Sequence, residues 1–242
     1  MLWHFVLESL AYAAAFQLYL YERRKHGDFL ETQRRWSIVA AAMAGAALGA
    51  KFFYWLEDPV KTFHHWNDFR YLMAGKTIVG AILGATMAVE FAKRRIGISS
   101  RTGDLFAIPL AVGIAVGRIG CFLAGTDDGT YGLATSLPWA IDFGDGVRRH
   151  PVQLYEVAAM LTLAAVLTRV RTPRFERGDG FRVFMLSYFG WRLAVDFLKP
   201  GARFGGLLVL QWISLAALLW YAPDLRRITR RSSGRKEALA SG

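Results

Sequence analysis

The segment RHPVQLYE sets Arg149, His150, Gln153, Tyr155 and Glu156 at the entrance of a long apolar run, residues 157–170. Arg118 interrupts a second apolar run inside GRIGC, and Arg192 and Asp196 a third inside WRLAVDF. Ionisable groups in segments of hydrocarbon character are expensive and are retained for function. Arginine carries a planar fork of donors that matches phosphate oxygens, and a desolvated phosphate needs several such donors to replace its water. Arg192 and Asp196 are four apart and share a helix face. Gly117 and Gly120 allow close backbone approach. Pro151 suits a first helical turn with His150 near the cap, which places Glu156 about one turn inside. This inventory fits an anionic lipid headgroup better than an ion pathway.

These residues need helices to hold them. Seven spans of about 18 to 21 residues can be read: 2–21, 36–56, 75–92, 104–124, 152–170, 181–198 and 204–222. Each is long enough to cross a bilayer core as helix. The expected fold is all-α, a polytopic membrane protein with seven transmembrane helices. Residues 1–222 form one transmembrane domain and residues 223–242 a basic tail that frays on the cytoplasmic side. The net charge of +11 does not point to nucleic acid, because the basic residues are scattered over several loops. Numbering the loops alternately with the N-terminus outside puts 19 Lys and Arg in the inner loops and tail, and seven in the outer loops. That asymmetry implies an outside N-terminus and a cytoplasmic C-terminus. The first span lacks a basic leader and reads as an anchor, not a cleaved signal. Cys121 is the single cysteine, so no internal disulfide is expected, and no metal-binding or phosphate-loop motif occurs. No metal or cofactor is expected.

With that topology, the glycine-rich start of span three, the end of span four at GRIGC, the start of span five at RHPVQLYE and the end of span six at Arg192–Asp196 all reach the outer face. A site open to the outer headgroup layer follows.

At these motifs the chain resembles the bacterial prolipoprotein diacylglyceryl transferase family. The likeness rests on GRIGCFLAG followed by YGLATSLPWAIDF, on RHPVQLYE and on WRLAVDFLKP, with weaker matches at LGAKFFYWLE, GDLFAIPL and LQWIS. It implies an enzyme of the bacterial cytoplasmic (inner) membrane, with its site towards the outer leaflet. Its implied partners are phosphatidylglycerol and a preprolipoprotein signal peptide with a lipobox cysteine. The diacylglyceryl group passes to the cysteine thiol and glycerol phosphate leaves. By position, Arg118 and Arg192 match the family's essential arginines. Arg149, His150, Gln153, Tyr155 and Glu156 match directly as substrate-binding residues. Asp196 replaces a glutamate and Lys51 an arginine.

The departures are local. Val79 stands where the family has a histidine proposed for catalysis, Cys121 where it has asparagine, and Glu8 where it has a tyrosine. The family's glutamate after GRxGN falls at Thr126, Asp127 or Asp128, and either aspartate keeps the acid. The expected catalytic set is therefore Arg118, Arg192, Asp196, Asp127 and Asp128. The expected substrate-binding set adds Glu8, Lys51 and Cys121 to the RHPVQLYE residues. Blander roles stand beside these: a snorkelling arginine at 118, a structural ion pair at 192 and 196, a helix cap at His150, small-residue packing at Cys121. His64 and His65 read as solvated, and Trp36, Trp55 and Trp139 as interfacial anchors. The rival functions are a paralogue using the same lipid with another acceptor, and a lipid-binding protein without catalysis. A transporter is weaker, since no paired broken helices are visible.

Overall fold

Long helices dominate the computed structural model, which describes residues 2–73, 75–127, 129–170 and 176–240. In chain order they are α1 (Leu2–His26), α2 (Thr32–Glu57), the short α3 (Pro59–His64) and α4 (Phe69–Met73), α5 (Ile78–Arg95), α6 (Asp104–Ala124), α7 (Val152–Val170), α8 (Asp179–Val195) and α9 (Val209–Ala240). A 3-10 turn, Asp196–Leu198, follows α8. Two small antiparallel hairpins complete the described chain: β1 (Ile141–Asp142) with β2 (Arg148–Arg149), and β3 (Arg203–Phe204) with β4 (Leu207–Leu208).

All seven expected spans fall on helices. Among the described residues, three helical stretches are long and apolar enough to cross a membrane: Thr32–Glu57, Asp104–Ala124 and Val152–Arg169. The others carry more charge, much of it paired. Lys93 Nζ donates to Glu90 Oε1 at 2.7 Å in α5, and Arg182 Nε of α8 lies 2.6 Å from Asp224 Oδ2 of α9. Large apolar side chains such as Met43, Leu48 and Phe52 lie exposed along α2, as a lipid-facing surface requires.

The seventh expected span begins later than its apolar run. Gly205 and Gly206, with φ of 57° and 86°, turn the chain between β3 and β4, and two successive positive φ values are what a tight hairpin needs. The last helix does not stop at Pro223 but continues to Ala240. Residues such as Leu225, Arg226 and Arg227, just beyond the proline, favour helix.

The chain divides into two compact units. One unit comprises the α1 segment, Arg101–Gly201 and the chain from Leu215 on. In it α1 runs antiparallel to α6. Tyr19 stacks on Phe106 with ring centroids 4.8 Å apart, and Ala15 and Ala11 lie against Gly113 and Gly117. The Asp104 carboxylate accepts from the backbone N–H groups of Gly178 and Phe181, the latter at 3.1 Å, so α6 caps the start of α8. Arg227 then binds Asp179 and Glu176 at that end.

The other unit comprises Asp28–Ser100 and Ala202–Ser214. Its core is α2 against α5, joined through glycines. A Cβ on Gly84 would come within 2.2 Å of the Gly45 carbonyl oxygen, and one on Gly80 within 2.4 Å of that of Gly49. Thr77 caps α5 by accepting from Gly80 N at 3.0 Å, so α5 starts at Ile78 and not at Gly75.

Candidate active site

Three buried stripes end in charge. On α6 the stripe runs Ala107, Ala111, Ile114, Ala115, Arg118; on α7 it runs Leu167, Ala164, Leu163, Met160, Glu156, Gln153; on α8 it runs Phe184, Met185, Tyr188, Phe189, Arg192. Spacings of three and four keep each stripe on one helix face. The apolar part packs the helices, and the polar residue is carried to the same end of the packed trio.

There the side chains meet. Arg118 Nε lies 2.9 Å from Glu156 Oε2, and Arg192 Nη1 lies 3.5 Å from the same oxygen. Arg192 Nη2 lies 2.8 Å from Asp196 Oδ2, and Lys199 Nζ lies 3.3 Å from Asp196 Oδ1. Arg118, Glu156, Arg192 and Asp196 are each at most 6% exposed. Buried charges persist only when paired and hydrogen-bonded, and here they alternate in sign. Three cations against two carboxylates leave the cluster with one formal positive charge. Burial, reinforced by the repulsion of Arg192 and Arg118, pushes the Lys199 ammonium down to about 8. Gln153 and Tyr188 lie on the same stripes, and neither the Gln153 amide nor the Tyr188 hydroxyl has a hydrogen-bond partner among the described residues.

The other expected residues take different places. Arg149 sits on β2, where its Nη1 lies 2.6 Å from Asp145 Oδ1 and its guanidinium 5.1 Å from the centre of the Tyr131 ring. The hydrogen bond from Arg149 holds the exposed Asp145 carboxyl below its usual range. His150 Nδ1 is 3.3 Å from the Tyr155 hydroxyl, which accepts from Trp139 Nε1 at 2.6 Å. Trp139, expected as a membrane anchor, is thus joined to RHPVQLYE. Asp127 is exposed in the turn after α6, and Asp128 lies outside the described residues. Cys121 is half-buried, and its Sγ accepts from Arg118 Nη1 at 3.8 Å. Glu8 on α1 accepts from the Tyr12 hydroxyl at 2.9 Å. Lys51 lies in the second unit, where its ammonium donates to the carbonyls of Met73 and, at 2.9 Å, Gly75. Val79 is buried in that unit too.

Sequence reasoning missed Lys199 and Tyr188. Lys199 is three residues after Asp196, so a reading that tracked one face past the end of the apolar run finds it. Tyr188 is four before Arg192 but is hidden among neighbouring aromatics, which read as core.

Apolar helices that bury an alternating cluster of arginines and carboxylates define a mostly helical membrane protein with a polar site between helix ends. The chain belongs to the prolipoprotein diacylglyceryl transferase family, whose model matches residues 2–222. Among its relatives, a protein of Cupriavidus necator is 34% identical over 196 residues, covering 75% of this chain and 68% of the relative. One of Bordetella parapertussis is 30% identical over 193 residues, covering 75% and 70%. One of Bordetella avium is 28% identical over 250 residues, covering 96% and 91%. All three carry the name phosphatidylglycerol–prolipoprotein diacylglyceryl transferase.

Proposed function

We propose that this chain transfers the diacylglyceryl group of phosphatidylglycerol to the lipobox cysteine thiol of a prolipoprotein. The supporting observation is the buried cluster of Arg118, Arg192 and Lys199 with Glu156 and Asp196, whose one unbalanced positive charge matches the single negative charge of a phosphodiester. Arg118 and Arg192 bind the phosphate, while Glu156 and Asp196 fix their orientation. Gln153 and Tyr188 supply buried polar groups to the glycerol or phosphate oxygens. The thiolate attacks the glyceryl carbon, the carbon–oxygen bond to the phosphate breaks, and glycerol phosphate departs with its charge stabilised by the arginines. His150, Tyr155 and Arg149 line the approach, and Asp127 or Asp128 provides a further acid. Cys121 borders Arg118, and Lys51 braces the second unit.

The fuller topology belongs to this reading. Seven helices, α1, α2 and α5 to α9, span the bacterial inner membrane within residues 1–222, and residues 223–242 form a basic cytoplasmic extension. The excess of Lys and Arg in alternate loops supports an N-terminus outside, and lipid enters from the outer leaflet.

The test uses the purified full chain with phosphatidylglycerol and a lipobox peptide. Glycerol phosphate released only when peptide is present, with the peptide gaining the lipid, supports the transfer. Release without peptide modification assigns a different acceptor. Val79, which holds no titratable proton at the family's histidine position, gives weight to a second reading, lipid binding without transfer. Bound lipid with no release in either condition establishes that one.

A further inference from the structure

Transfer brings a peptide to the buried cluster, and this inference rests on the transfer reading above. A peptide whose cysteine reacts while its chain stays outside the cluster needs a surface to lie on. The hairpin before α7 carries an unfilled one. Its second strand, β2, is paired on both sides: Arg149 faces Ile141 of β1 and also bridges to Ala134. Residues 133–135 are thus a third, outer strand. His150 N donates to the Leu133 carbonyl at 3.0 Å and Thr135 N to that of Arg148 at 2.9 Å. Gly132 allows this approach, because a Cβ there would lie 2.5 Å from the His150 carbonyl oxygen.

Those two bonds flank Ala134, so its own N–H and C=O point away from β2. Neither has a hydrogen-bond partner among the described residues. Ala134 is exposed, and Leu133 beside it is 42% exposed. An open edge of this kind is a template for an added strand. Two joins make it continuous with the site. Leu133 N donates to the Leu198 carbonyl at 2.7 Å, next to Lys199, whose ammonium lies 3.3 Å from Asp196. At the other join, β2 leads through His150 and Pro151 into α7, which carries Gln153 and Glu156. Residues 131–140 hold no ionisable group except the Tyr131 phenol. The edge therefore fits an extended segment with small or apolar side chains.

We propose that residues 133–135 are the docking strand for the acceptor peptide, which adds to this edge as an extended strand and pairs its main chain with the N–H and C=O of Ala134. Main-chain pairing fixes the direction of the peptide and leaves its side chains to the uncharged surface at Leu133 and Ala134. An extended chain advances about 3.3 Å per residue, so a cysteine a few residues from the paired position is carried along the strand towards the cluster end marked by Leu198. Ala134 is a binding residue through its backbone and takes no part in the chemistry.

The experiment measures kcat and peptide KM from glycerol phosphate release for wild type and Ala134→Pro, with lipobox peptides N-methylated at one amide at a time. Phosphatidylglycerol retention is measured in parallel. Proline at 134 removes the outward donor and none of the bonds that hold the strand to β2. Ala134→Pro is expected to raise KM about three- to tenfold, the effect of one net hydrogen bond, with kcat and lipid retention as in wild type. In wild type, N-methylation at one amide near the cysteine raises KM by a similar factor. The same modification adds less in Ala134→Pro, because both bonds belong to one pair. If Ala134→Pro loses its lipid, the N-methyl series on wild type decides alone. An unchanged KM in a lipid-retaining Ala134→Pro, or a wild type indifferent to N-methylation at every amide, overturns the docking assignment and leaves the transferase reading intact. So does a wild-type dimer that Ala134→Pro dissociates without changing KM, which gives the edge to a second copy of the chain. A wild type that releases no glycerol phosphate with any peptide overturns the transferase reading, and the assignment with it.

Discussion

Glu156 on α7 and Arg118 on α6 form a buried ion pair, with Nε to Oε2 at 2.9 Å and neither residue more than 6% exposed. The same carboxylate oxygen faces Arg192 of α8 at 3.5 Å. Glu156 is thus the anion around which the two arginines are arranged. Its position follows from a helix that enters its apolar run one turn earlier, at Pro151. Without it, two guanidiniums would approach one another with nothing between them.

Glu156→Ala is therefore expected to destabilise the protein by about 3–5 kcal/mol, the usual result of leaving a buried charge without its partner. Thermal unfolding in detergent measures this. Arg118→Met combined with Glu156→Ala should recover part of the loss, because it removes the stranded charge too.

Lys199 is expected to make phosphatidylglycerol binding pH-dependent. Burial lowers its ammonium to about 8, so below that pH the cluster holds its third cation and above it does not. Phosphatidylglycerol affinity should fall as pH rises through about 8, and Lys199→Gln should remove that step. The sign for stability is opposite. The unfolded chain keeps this proton up to the ordinary lysine value, so the lipid-free protein gains stability as pH rises between about 8 and that value. Titrations of lipid binding and of melting temperature over this range check both signs.

The glycine contacts of α2 and α5 are a packing requirement. Gly84→Ala would bring a methyl to 2.2 Å from the Gly45 carbonyl oxygen. The helices must separate, and a loss of about 1–3 kcal/mol is expected. Gly97→Ala is the control for crowding: among the described residues, its chain neighbours aside, nothing lies within 4 Å of its Cβ position, though its positive φ adds a local backbone cost.

Arg149 and Arg118 look alike in sequence, since both are arginines at the edge of an apolar run. Arg149 pairs with the exposed Asp145 on a hairpin, whereas Arg118 is locked among buried groups. Arg149→Ala should leave the melting temperature almost unchanged, as for an exposed ion pair. Its effect on turnover should be far smaller than that of Arg118→Ala, measured in the same release assay.

The helices and the principal cluster were legible because each rests on a repeating pattern. Arg118, Glu156 and Arg192 sit at the ends of stripes with helical spacing, and their burial follows once the apolar residues choose a face. The hairpins were not legible: β1 and β2 form across the turn at Asp142–Gly146, where Asp142 Oδ1 accepts from Gly144 N at 2.8 Å and Gly146 N at 3.0 Å. No hydrophobic period marks such a turn, so the pairing of Arg149 with Asp145 was not legible either. The placement of Lys51 was not legible for a similar reason, because the carbonyls of Met73 and Gly75 carry no sequence signature. Lys199 lay one residue beyond the expected end of its span.

The Arg118–Glu156–Arg192 cluster is expected to hold the phosphate of a lipid whose glyceryl group is transferred. The direct measurement is peptide-dependent glycerol phosphate release by wild type and Arg118→Ala in phosphatidylglycerol micelles. Release by wild type together with a loss of about 10²–10³-fold in Arg118→Ala is the expected result, in line with removing one donor from a charge-stabilising site. An Arg118→Ala protein that is folded and releases glycerol phosphate at the wild-type rate would contradict it.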